Sequence, residues 1–160
     1  MRPFRTIAFD VDGTLTDGMY HVSAGRDVTK SFYTRDIWAI EELVKAKYNV
    51  VIISQASDLC VVHKFASMKE RVGGIDIIRG ASDKVLSLEA LTKIRWDQLF
   101  YVGDAENDLE CMKLALFTAC PFDAVPIIQE ESNFISMLSG GHGAVYDIAT
   151  RLLKGEFDNV

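Results

Sequence analysis

The chain has 160 residues, 49% of them hydrophobic and 25% charged, with a formal net charge of −6. This is one domain's length with enough apolar material for a sizeable core, and its scattered Lys and Arg exclude a phosphate-backbone binder, so no nucleic-acid partner is expected. Apolar runs fall short of membrane-spanning length, the opening Met1-Arg2-Pro3-Phe4 shows no signal peptide, and Cys60, Cys111 and Cys120 lack metal-ligand spacing. The expectation is a cytoplasmic protein with reduced thiols and no membrane partner.

Thr6-Ile7-Ala8-Phe9-Asp10-Val11-Asp12-Gly13 reads as a buried strand whose tip carries two carboxylates. Asp10 and Asp12 are two apart, so an extended strand points them the same way, and Gly13 permits a sharp turn beyond. Two short runs around Gly25 predict a β-hairpin flap over 19–32, with His21 on its surface. Ile37, Ile40, Leu43 and Val44 fall at helical spacing between Asp36 and Lys47, with Arg35 and Trp38 flanking the start and Trp38 expected in the core. Asn49 to Ser54 is a second apolar strand, followed by Gln55 and a helix from about Asp58 to Glu70. Ile75 to Ile78 is a third strand, and Ser82-Asp83-Lys84 opens a helix bearing Val85, Leu88, Leu91 and Ile94. Gln98 to Asp104 is a fourth strand, again tipped with acid, followed by a helix through Asp108, Leu109 and Met112. Leu116 to Cys120 is a fifth strand, Pro121 and Pro126 break regularity, and a last helix spans about Ala144 to Lys154 before a loose tail over 155–160.

Strands alternating with helices imply a parallel sheet covered on both faces, with ligands beyond the carboxyl ends of the strands. That rim receives Asp10, Asp12, Ser54 and Asp104. With Asp108 these acids form an oxygen-only set suited to a hard cation such as Mg²⁺. Lys84, at a helix start after a loop of small residues, can balance the carboxylates and hold a phosphoryl oxygen. Phosphoryl transfer needs a nucleophile, a cation, donors for the equatorial oxygens and an acid for the leaving group. Each part has a candidate here.

Asp10-Val11-Asp12-Gly13-Thr14-Leu15-Thr16-Asp17-Gly18, Ser54, Lys84 and Gly103-Asp104-x-x-x-Asp108 together resemble the four ordered motifs of the haloacid dehalogenase superfamily of phosphatases. The resemblance implies a three-layer Rossmann-like α/β fold for 1–160, with a parallel sheet of five to six strands, the hairpin flap and no cap domain. It implies Asp10 as nucleophile, Asp12 as general acid/base, Ser54 as phosphate donor and Lys84 as charge-balancing cation. Mg²⁺ is then held by the Asp10 side chain, the Asp12 carbonyl and Asp104, with Asp108 positioning a metal water. Thr14, Arg35, Asp36 and Gln55 are the candidate substrate contacts.

The hairpin, Thr34-Arg35-Asp36 and Gly140-Gly141-His142-Gly143-Ala144-Val145 are similar to the 3-deoxy-D-manno-octulosonate 8-phosphate phosphatase group, which includes phosphatases of nine-carbon sialic-acid-type 9-phosphates. This implies a small phosphorylated sugar acid as substrate and a homotetramer. Ser54-Gln55-Ala56 stands where the group has Thr-Gly, often followed by Arg or Glu, Ile37 where it has Gly, and Tyr146-Asp147 where it has Arg-Glu. The phosphate chemistry tolerates these departures better than sugar recognition does. The competing readings are a non-catalytic relative acting as a regulatory or assembly module, and a receiver-like signalling domain, whose adjacent acidic pair the Asp-x-Asp-Gly-Thr order disfavours.

Overall fold

The computed structural model describes residues 2–159. In chain order, β1 (Thr6–Asp10) leads into a hairpin of β2 (His21–Val22) and β3 (Val28–Thr29), then α1 (Thr34–Lys45), β4 (Asn49–Ile53), α2 (Cys60–Val72), β5 (Ile75–Ile78) and α3 (Lys84–Glu89). The second half runs β6 (Leu99–Val102), α4 (Leu109–Leu114), β7 (Phe117–Cys120), α5 (Pro126–Glu131), β8 (Phe134–Ile135) and α6 (Ala144–Leu153).

Six strands form one sheet in the order β5-β4-β1-β6-β7-β8, with every neighbouring pair parallel. Side chains alternate across it, as the two-residue repeat of a strand dictates. Ile7, Phe9, Val50, Ile52, Phe100 and Val102 pack with α1, α2 and α6 in one core, whereas Ala8, Val51, Ile53, Leu99 and Tyr101 meet Leu88, Met112 and Ile128 in the other. The expected α/β fold with its parallel sheet covered by helices on both faces is borne out.

The chain leaves β1 toward β4 and β5, then returns to place β6 on the other side of β1. The strand order therefore reverses beside β1, and in open parallel sheets the ligand crevice opens outside the carboxyl ends at such a reversal.

Four features differ from the sequence reading. Pro126 is the first residue of α5 rather than a break, a position where its fixed φ and missing N–H cost nothing. The sixth strand, β8, has only two residues, too few to show a period. Trp38 is 50% exposed, its ring tilted against Tyr146 at 6.1 Å, not interior. The tail is docked through Phe157, which is buried with its ring 5.0 Å from Phe117, 5.2 Å from Phe134 and 5.5 Å from Phe100. Among the described residues no helix is long and apolar enough to cross a membrane.

Candidate active site

β1 ends on Asp10, which shares the parity of Ala8 and so belongs to the sheet face covered by α3. α3 begins with Lys84, its start fixed by Asp83, whose carboxylate accepts the Leu86 N–H at 2.9 Å. Lys84 is buried, and its Nζ donates to Asp10 Oδ1 and, at 2.6 Å, to Asp108 Oδ1. Asp108 is fully buried and fully engaged: Tyr101 donates its hydroxyl to Oδ1 at 2.7 Å, and the Asp104 and Ala105 N–H groups reach Oδ2 at 3.0 and 3.2 Å. Asp104, just beyond β6, accepts the Thr14 hydroxyl at 3.3 Å. One carboxylate oxygen from each of Asp10, Asp104 and Asp108 lies within 4.8 Å of the others.

Gly13 sits at φ +94°, and a Cβ there would overlap the Asp104 carboxylate. Only glycine allows both that backbone and that approach. The late Gly140–Gly143 loop leans on the same turn: Gly141 N–H donates to the Thr14 carbonyl at 3.2 Å, and a Cβ on Gly140 would overlap the Gly13 carbonyl.

Burial, and then the charge of Asp108, push the Asp10 carboxyl well above the usual carboxylate range, with Lys84 opposing. Asp104 is pushed up to about 6, again mainly by burial, with a hydrogen bond to Asp10 opposing and the Asp108 charge adding to the rise. Burial alone would lower Lys84, but the Asp10 and Asp108 charges together outweigh it and raise its ammonium. Three clustered carboxylates thus share one cation. This oxygen-only donor set, short of positive charge, fits a hard divalent ion.

The remaining sequence candidates fall in different places. The Asp12 side chain stands apart from the acidic triad: Oδ2 accepts Lys30 Nζ at 3.1 Å and lies 3.4 Å from the Ser54 hydroxyl, while Oδ1 is 2.8 Å from the same ammonium as an ion pair without a hydrogen bond. Ser54 is buried and also accepts the Ala56 N–H at 3.1 Å. Gln55 is exposed, its Oε1 accepting Asn107 Nδ2 at 2.9 Å across the rim. Thr14 is buried and committed to Asp104, whereas Arg35 is exposed on the first turn of α1.

Asp36 does not open to a ligand. It is buried, and its two oxygens accept the Tyr146 N–H at 2.8 Å and the Gly143 N–H at 3.3 Å, anchoring the start of α6. Burial raises its carboxyl to about 6 despite those two bonds. Tyr101, Lys30 and Asp58 escaped sequence reasoning. Only the alternation along β6, which puts Tyr101 on the Lys84 side, could have pointed to the first.

No protein-family model matches the chain. The 3-deoxy-D-manno-octulosonate 8-phosphate phosphatase KdsC of Escherichia coli (strain K12) is 26% identical over 159 residues, 96% of this chain and 82% of that protein. N-acylneuraminate cytidylyltransferase A of Danio rerio is 28% identical over 155 residues, 93% of this chain but 35% of that protein, so the chain spans about a third of its length. Among solved structures, a protein described as a HAD superfamily (subfamily III A) hydrolase from Legionella pneumophila superposes with a TM-score of 0.87 at 26% identity, covering 97% of this chain and 85% of that one. The 3-deoxy-D-manno-octulosonate 8-phosphate phosphatase of Moraxella catarrhalis, in complex with magnesium, phosphate and KDO, does so with a TM-score of 0.85 at 28% identity, covering 96% of this chain and 87% of that one. Motif order, fold and overall similarity agree: the chain is a phosphatase similar over nearly its whole length to the 3-deoxy-D-manno-octulosonate 8-phosphate phosphatases, with the fold of a HAD superfamily hydrolase.

Proposed function

We propose that the protein is a Mg²⁺-dependent cytoplasmic phosphatase that releases phosphate from a phosphorylated acidic keto-sugar, of the octulosonate 8-phosphate or nonulosonate 9-phosphate type. The observation that carries this reading is the meeting of Asp10, Asp104, Asp108 and Lys84 where the strand order reverses. The relatives' names supply the sugar-acid class.

Asp10 is the nucleophile. Its carboxylate oxygen bonds to phosphorus as the bond to the sugar oxygen breaks, and that oxygen keeps the electron pair and takes a proton from Asp12. Water then attacks the phosphoryl group on Asp10 and gives a proton to the Asp12 carboxylate, freeing phosphate and restoring Asp10. Lys84 and Ser54 hold phosphoryl oxygens. Mg²⁺, held by Asp10, Asp104 and the Asp12 carbonyl with Asp108 behind them, would supply the further positive charge that keeps Asp10 ionised and offsets charge on the phosphoryl oxygens.

The hairpin presents Met19, Tyr20 and Val22 to solvent, each at least 60% exposed, which supports assembly into a homotetramer. Asp10→Asn should abolish hydrolysis of phosphorylated keto-sugar acids while leaving the circular dichroism spectrum unchanged. Undiminished turnover in that variant would remove the nucleophile. Sedimentation of the wild-type protein as a monomer would remove the tetramer.

A further inference from the structure

The hairpin flap carries a charge into the site that the four motifs do not include. Lys30 follows β3 directly, and its side chain is only 3% exposed. Its ammonium touches both oxygens of Asp12, at 2.8 and 3.1 Å, and Asp58 Oδ2 at 2.6 Å. A buried ammonium loses much of its hydration and stays in place only where carboxylates replace it. Its partners therefore fix where it sits, and it fixes them.

Asp12 has little else to hold it. The Ser54 hydroxyl, at 3.4 Å, is a weak partner, and the carboxylate is about a third exposed. The flap is equally short of anchors: β2 and β3 pair over two residues each, and a lone hairpin of that length is not stable by itself. Beyond Lys30 it is held by the Cys60 thiol donating to the Val28 carbonyl at 3.4 Å and by Phe32 edge-on to Phe65 at 6.1 Å. Between flap and sheet rim lies a cleft of about 370 Å³ with Asp12, Lys30, Tyr20 and Ser57 in its walls. It is the space next to Asp12 in which a leaving group can sit.

We propose that Lys30 is the positioning residue for the acid/base carboxylate: carried on the flap and braced against Asp58, it holds Asp12 facing the cleft, so that proton delivery to the leaving group depends on the flap being closed. This rests on the phosphatase reading above. Lys30 acts through Asp12 and not on phosphorus, so its removal is felt most where the departing oxygen most needs a proton.

The test compares phenyl phosphate, a poor leaving group, with 4-nitrophenyl phosphate, a good one, using kcat/KM, which reports the step that phosphorylates Asp10. General acid catalysis is worth about 10²- to 10⁴-fold, and displacing the acid forfeits part of that. Lys30→Met should therefore lower kcat/KM for phenyl phosphate about 10-fold or more beyond its effect on 4-nitrophenyl phosphate. Lys30→Arg, which keeps the cation, should recover most of the difference. Equal losses on the two esters, or no loss, would overturn the proposal. Hydrogen exchange of the 19–32 amides gives a readout free of turnover: it should quicken in Lys30→Met, and unchanged protection would also overturn the tether. A wild-type protein inert toward both esters would count against the phosphatase reading, and the exchange measurement would then decide the tether alone.

Discussion

Replacing Lys84 with Met removes the one cation between two buried carboxylates while keeping a side chain of similar length. The Lys84, Asp10 and Asp108 side chains are 2%, 6% and 0% exposed, so water cannot take over the lost charge. Asp108 keeps the Tyr101 hydroxyl and two backbone N–H groups, whereas Asp10 loses the only cation paired with it among the described residues. Breaking a buried pair in this way costs about 3–5 kcal/mol, because an uncompensated charge stays inside. Asp10 answers by holding its proton. Its carboxyl is already raised by burial and by Asp108, with Lys84 opposing, so the variant raises it further. Above the ordinary carboxylate range the native variant then keeps a proton that the unfolded chain has released, and stability falls as pH rises through that window. Thermal melts in chelator at pH 5 and pH 7.5 check this. The midpoint of Lys84→Met should lie roughly 10 °C below wild type at pH 7.5, from about 2–4 °C per kcal/mol for a domain of this size. The gap should narrow at pH 5. A variant within about 2 °C of wild type at pH 7.5, or one whose deficit grows on acidification, would refute the charge argument.

Gly13→Ala should collide with Asp104 and force a left-handed backbone on alanine, lowering stability by about 1–3 kcal/mol. It should also weaken Mg²⁺ binding, read by calorimetric titration; unchanged affinity would show that Gly13 does not set the Asp104 position. Asp36 predicts a second pH dependence. With its native carboxyl near 6 and its unfolded one near 4, wild-type stability should fall by up to about 3 kcal/mol as pH rises between those values, and Asp36→Asn should remove that slope. Urea titrations at pH 4.5 and 7 measure it, and identical slopes in the two proteins would exclude Asp36 as the cause.

Much of this was legible in the sequence because the chemistry sits at strand tips. The apolar runs ending in Asp10, Ser54 and Asp104 mark buried parallel strands, and parallel topology alone brings their ends to one rim. Lys84 could be read because a helix start after a strand exit leads back to that rim. Tyr101 and Lys30 were hidden, since their roles depend on which side chains face them across the sheet or from the flap, and no local pattern records that. Asp36 misled for a related reason: an acid beside an arginine at a helix start looks like a ligand group or a first-turn charge, and its partners, Gly143 and Tyr146, lie more than a hundred residues away. Phe157 was unreadable as a core residue because polar neighbours surround it in sequence, while its aromatic partners come from β6, β7 and β8.

The contact between the Gly140–Gly141 backbone and the turn after β1 also has a bearing on biosynthesis. The first acids leave the ribosome early, but the segment that buttresses their turn follows about 125 residues later, on the order of ten seconds at ordinary translation speeds. A nascent chain therefore carries Asp10 and Asp12 long before it can fix the turn that follows them, and the rim matures only as synthesis nears α6.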